Sequence, residues 1–206
     1  TADWQARNHF RGTAAHNTPQ IDGEEINRFV RPEYLWVLRN DAVPEVRQWS
    51  TSEDTDLLVG AHSGYQRLQS PVTPIRTIML DKTTNCLFIT DVFEGTAEHT
   101  VRIPYTFTPD IEIDPFSSGV WRISNQTTSF LAISSAPDTW SGTIESASFS
   151  PSYGVVEDVT SLVFERTGIL SPIAFSIIPE KHAPKDPTNW LATIVADRLP
   201  IPGFNT

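Results

Sequence analysis

Two arginines, two histidines, three side-chain amides and an aspartate fall within the sixteen positions from Arg7 to Asp22, in the run Arg7-Asn8-His9-Phe10-Arg11-Gly12-Thr13-Ala14-Ala15-His16-Asn17-Thr18-Pro19-Gln20-Ile21-Asp22. Arginine holds a carboxylate or sulfate through two parallel N–H donors, and a neutral imidazole can ligate a metal or move a proton. The small residues Gly12, Thr13, Ala14 and Ala15 let the backbone pass close to its neighbours, so His16 is expected at the start of a strand. His9 and His16 stand seven apart without a nearby cysteine, which does not make a self-contained zinc motif. A metal on His16 needs ligands from elsewhere. His62, Tyr65 and Arg67 form a second small polar constellation.

Other chemistries find less support. No serine sits in a Gly-x-Ser-x-Gly turn, and no His-Asp spacing suggests a hydrolytic triad. A pair of carboxylates for glycoside hydrolysis cannot be selected from the many acids by sequence alone. Asn125-Gln126-Thr127 matches a glycosylation acceptor, a tripeptide common by chance. Of the six tryptophans, Trp4, Trp49 and Trp140 lie beside polar or turn residues and are expected as exposed faces, whereas Trp36 is expected in the core.

The elements that must position these residues read as strands. Sixteen prolines, ten glycines and a single methionine in 206 residues favour many short strands joined by turns, in one domain spanning residues 1–206. The expected fold is an all-β, multi-stranded antiparallel sandwich of large stacked sheets with few or no helices. A short strand from Thr18 ends in the Asp22-Gly23 turn, and Leu35-Trp36-Val37-Leu38 reads as a strand buried on both faces. Ile75–Leu80 and Cys86–Phe93 flank a turn at residues 81–85 and form a hairpin. His99–Phe107 alternates apolar and polar residues like a half-buried strand, with Pro104 marking an edge or a bulge. Further strands are expected at 111–113, 119–124, 129–134, 142–149, 161–165 and 173–178, then a strand or helical turn at 190–195 and a tail from Pro200 draped over the sandwich.

Charge narrows the partners. Fifteen basic against 25 acidic residues give a net charge of −10, which disfavours a nucleic-acid role built on phosphate neutralisation. Arg7, Arg11, Arg28, Arg31, Arg39 and Arg47 nevertheless concentrate positive charge in the first 47 residues. The lone Cys86 reads as a small buried hydrophobe, and no stretch has the roughly 20 apolar residues a spanning helix needs. Thr1 in place of an initiator Met suggests a processed or excised fragment.

The run Arg7 to Thr18, continuing to Asp22-Gly23, resembles the heparinase II/III-like polysaccharide lyases, in which an aromatic-Arg-x-Thr-Ala-Ala-His-Asn-Thr segment enters an Asp-Gly turn. His62-Ser63-Gly64-Tyr65-Gln66-Arg67-Leu68, Pro71-Val72, Arg76, Asp91-Val92-Phe93-Glu94-Gly95 and His99 resemble later blocks in the same order, so the likeness covers residues 7 to about 110. The resemblance implies a bacterial, periplasmic or secreted enzyme with an N-terminal helical toroid before a β domain, cleaving uronate-containing acidic polysaccharide by β-elimination. It implies zinc held by His16 together with ligands upstream of Thr1, and no complete catalytic centre within this chain. It leaves the toroid as a partner in cis or as a separate chain. Arg11, Asn17 and Tyr65 are the expected substrate contacts. The sequence departs from the pattern at Pro74, near which many relatives carry a histidine. The alternative reading is a non-catalytic sandwich that binds glycans or another subunit.

Overall fold

The computed structural model describes residues 3–199. The chain runs α1 (Trp4–Arg11), a 3-10 turn (Thr13–Ala15), β1 (Gln20–Ile21), β2 (Pro44–Thr51), β3 (Thr55–His62), β4 (Thr73–Asp81), β5 (Cys86–Glu94), β6 (Glu98–Thr106), β7 (Glu112–Ser117), β8 (Val120–Ser124), β9 (Ser129–Ser134), β10 (Ser141–Phe149), β11 (Glu157–Ile169), β12 (Ile173–Pro179), a second 3-10 turn (Glu180–His182) and α2 (Pro187–Arg198). The strands form a four-stranded sheet ordered β1-β6-β11-β10 and an eight-stranded sheet ordered β2-β3-β4-β5-β12-β9-β8-β7, antiparallel throughout. The sequence-based expectation of an all-β antiparallel sandwich with few helices is met.

Strand alternation builds the core. Val101, Ile103 and Tyr105 of β6, with Leu162 and Phe164 of β11, face Ile89, Phe93, Trp121, Ile123 and Phe175 of the larger sheet. Tyr105 stacks on Phe175 with ring centres 4.2 Å apart, and Phe164 meets Phe175 edge-on at 5.5 Å. The opposite face of the larger sheet buries Met79, Phe88, Leu131, Ile133 and Ile178 beneath Leu191 and Val195 of α2. That helix begins where Asp186 caps the Asn189 amide and Pro187 takes the first turn, so the uncertain 190–195 segment resolves as helix. Cys86 is buried as expected. The tail from Pro200 lies outside the described residues.

The β4–β5 hairpin follows its expected register, with Asn85 taking a positive φ of 56° in the turn. Asp22 and Gly23, at φ 54° and 69°, form the Asp-Gly turn after β1. Pro104 sits on β6 beyond Arg102, where β1 pairing stops, so its missing N–H costs no ladder bond on that side. The open edge strand β2 is defended by Pro44, Glu45, Arg47 and a bulge between Val46 and Gln48.

Three expectations are corrected. Residues 35–38 do not form a buried strand; they lie in a turn-rich loop touching the rest of the structure through a Phe29–Leu38 bridge, and Trp36 is 73% exposed. Four apolar residues in a row read equally as a core strand or as a loop surface, and here no strand among the described residues buries them. Trp140, expected on the surface, is 2% exposed because it closes the end of the core against Phe93, ring centres 6.3 Å apart. His16 follows a 3-10 turn rather than opening a strand, and β1 starts four residues later.

Candidate functional site

The first helix exists because Asp3 accepts hydrogen bonds from the Gln5 and Ala6 amides, both at 3.0 Å, and Gly12 ends it. Its basic side chains turn to one side and organise the loop at residues 28–39. Arg7 lies over the Trp36 ring at 4.1 Å and Arg11 over Phe29 at 4.2 Å. Arg11 also donates to Tyr34 O at 2.8 Å and to the Asn8 carboxamide oxygen at 2.8 Å, while Asn8 donates to Pro32 O at 3.0 Å. The arginines that made this stretch a candidate for anion binding therefore hold a loop whose aromatic residues face solvent.

The next turn is pinned from both sides. Glu25 accepts from the Thr13 amide at 2.6 Å, and the Thr13 hydroxyl accepts from the Ile26 amide at 2.9 Å. Tyr65 is wholly buried, its hydroxyl 3.2 Å from Pro19 O and 3.3 Å from Glu24 O, and burial drives its pKa well above the ordinary phenol value. From that position it braces the chain entering and leaving β1 and meets no ligand from the surface.

Asn17 is exposed but engaged. Its oxygen accepts from the Thr106 amide at 2.9 Å and its NH2 donates to Thr106 O at 3.4 Å, so the side chain mimics a strand partner where β1 is absent. Arg76 donates to Asn17 O and makes a paired contact with Asp91, both bonds 2.7 Å, with the Asp91 side chain 1% exposed. Asp91 holds the guanidinium protonated far above neutral pH. Beside the Asp-Gly turn, Asp22 contacts His99 Nδ1 at 2.7 Å and accepts from the Thr100 amide at 2.9 Å. Both contacts fasten β1 and its flanks to the sandwich.

A groove of about 360 Å³ remains on the outer face of the smaller sheet. The α1 and 3-10 segments form one wall through His9, Ala14 and Ala15, and Gln20, Arg102, Thr106, Ser146, Ser148 and Ser161 form the floor and far side. Arg102 pairs with Glu145 at 2.6 Å but keeps part of its side chain accessible. Thr100, Arg102, Pro104 and Thr106 occupy the outward positions of β6, the polar half of an alternation visible in the sequence. Arg102 was thus findable once that strand was assigned, although no local pattern indicates that β10 and the 3-10 segment wall it in. His16 is exposed directly after Ala15, at the margin of this groove.

No group of three or more His, Cys, Asp or Glu able to hold a metal occurs among the described residues. A closed zinc site takes four ligands, so the described residues do not fit one by themselves.

This architecture defines the chain as a two-sheet antiparallel β domain with a groove on the outer face of its smaller sheet. The chain belongs to the heparinase II/III-like family, C-terminal part: that family profile matches residues 2–190. Among solved structures, it is similar to the heparan sulfate lyase HepC from Pedobacter heparinus, with a TM-score of 0.69, 16% identity, and coverage of 86% of this chain and 26% of that one. The heparinase III BT4657 gene product gives a TM-score of 0.67 at 18% identity, covering 88% of this chain and 27% of that one. This chain therefore spans about a quarter of the length of those lyases. Comparison with curated protein sequences finds no match. No helix among the described residues is long and apolar enough to cross a membrane.

Proposed function

We propose that this chain is the β-sheet portion of a bacterial polysaccharide lyase, periplasmic or secreted, that cleaves uronate-containing acidic polysaccharide by β-elimination when joined to an N-terminal helical domain in cis or as a separate chain. The observation that carries this reading is the family match over residues 2–190. The outer-sheet groove supplies the place: Arg102 and His9 bring positive and hydrogen-bonding groups to an otherwise acidic protein, suited to a carboxylated or sulfated sugar. In such an elimination the uronate carboxylate must be neutralised while a base removes the adjacent proton and an acid protonates the leaving oxygen. The base and acid come from outside this chain, and this chain binds and orients.

Exposed Tyr34, Trp36, Val37 and Leu38, held in place by Arg7 and Arg11, offer the helical domain an apolar surface to cover. Arg11 and Asn17 are committed to the protein's own backbone, so Arg102 replaces them as the principal sugar contact. The test is unsaturated-uronate absorbance with the complete enzyme on a panel of acidic polysaccharides. Activity on one of them with KM raised about tenfold by Arg102→Ala supports the reading. Activity on none, with the polysaccharides still bound, establishes the non-catalytic glycan-binding alternative.

His16 contributes one ligand to a zinc ion whose remaining ligands lie upstream, and the metal orders the junction rather than entering the chemistry. Replacing His16 by Ala in the complete enzyme is expected to lower zinc content, measured by mass spectrometry of the purified protein, by more than half. Unchanged metal content would sink the assignment.

A further inference from the structure

At the opposite edge of the sandwich from α1 and β1, a cleft of about 690 Å³ opens between the two sheets. Among the described residues β7 pairs with β8 alone and β10 with β11 alone, so the cleft is bordered by two strands whose outer backbone edges have no strand partner there. Trp121, Trp140, Ser117, Ser118, Ser141 and Thr143 are among the residues that line it. None of the described residues lining it is charged, in a protein of net charge −10.

Two glycines let the walls of the cleft pack closely. Gly119 adopts φ 70°, and a Cβ there would come within 2.9 Å of Pro137; a Cβ on Gly142 would fall 2.5 Å from the Trp121 ring. Trp140 is 2% exposed and its Nε1–H, buried, has no acceptor among the described residues. A buried indole N–H ordinarily finds a partner, and leaving it unmade is costly.

We propose that this cleft is a second saccharide site, separate from the outer-sheet groove, that binds an uncharged pyranose unit. Hydroxyl donors and acceptors, indole surface and free backbone edges recognise a neutral ring bearing hydroxyl or acetamido groups, and the lack of a cation selects against carboxylated or sulfated units. The inference is independent of the lyase reading, because it rests on different strands and opposite ligand chemistry. A site of this kind holds neutral stretches of a mixed glycan while the charged stretches occupy the groove.

Cellobiose and N,N′-diacetylchitobiose serve as probes, with saturation-transfer NMR and titration calorimetry on the purified chain. At least one should bind saturably with a Kd of roughly millimolar order, unchanged between low and high salt as befits an uncharged ligand. Thr143→Arg, an exposed substitution that fills the cleft, should abolish saturation, and Trp140→Phe, which keeps the ring but removes the N–H, should weaken binding about threefold to tenfold. No saturable binding by either disaccharide, binding untouched by Thr143→Arg, or binding only of sulfated or uronate oligosaccharides with steep salt dependence would each overturn the proposal. So would capture of an extended peptide along β10 in place of a sugar. Loss of polysaccharide cleavage with disaccharide binding intact counts against the lyase reading alone.

Discussion

Arg76→Ala is expected to destabilise the folded chain by about 3–5 kcal/mol, the cost of leaving a buried charge without its partner. Asp91 is 1% exposed and accepts both of its short hydrogen bonds from Arg76, and the same guanidinium holds the Asn17 carbonyl at the entrance to β1. Removing it strands a carboxylate between the sheets and frees the segment that carries His16. In a domain of this size the thermal midpoint should fall by about 6 °C or more. Asp91→Ala should cost a similar amount from the other side. The double substitution Arg76→Met with Asp91→Leu should be much milder than the sum of the single changes, since no charge is then left unpaired. Thermal unfolding of the four proteins completes the cycle, and additive losses would show that the pair contributes nothing as a pair.

Gly142→Ala is expected to cost about 2–3 kcal/mol although it adds only one methyl group. The new Cβ would lie 2.5 Å from Trp121 Cη2 and Cζ2 and 3.2 Å from Phe164 Cε1. Trp121 is held edge-on against Phe164 at 5.5 Å and is 8% exposed, so neither ring can swing away as a flexible side chain would. The strain should show as a lower unfolding midpoint and as changed near-ultraviolet dichroism from the displaced indole. Gly154, whose Cβ would meet nothing within 4 Å, provides the contrast: Ala there pays only for its positive φ. Equal effects at the two positions would mean that close packing on Trp121 is not what requires glycine at 142.

Much of the architecture was legible in the sequence because strand alternation is local. The β4–β5 hairpin, the alternation of β6 and the strands at 120–124, 129–134 and 173–179 all occur near their expected positions. The Asp22-Gly23 turn was legible for the same reason, since two consecutive positive φ angles favour that pair of residues. The burst of Arg, His and amide residues at 7–22 did mark the segment that the rest of the chain anchors, and it carried the family resemblance that the profile over residues 2–190 now supports.

What each of those side chains does was decided elsewhere. Tyr65 was expected to contact substrate and became a buried brace because β1 and the loop after it, some forty residues earlier in sequence, fold over its hydroxyl. Arg11 looked like an anion contact and became a clamp on Tyr34. Trp36 and Trp140 exchanged their expected places because burial depends on which sheet edge arrives opposite a residue, and the residue's neighbours in sequence cannot report that. Residue type and period fixed the strands and the chemical repertoire of this protein; only the tertiary structure, which joins position 17 to 106 at a sheet edge and packs 121 against 142 across the two sheets, decided which groups became structure and which remained open to a ligand.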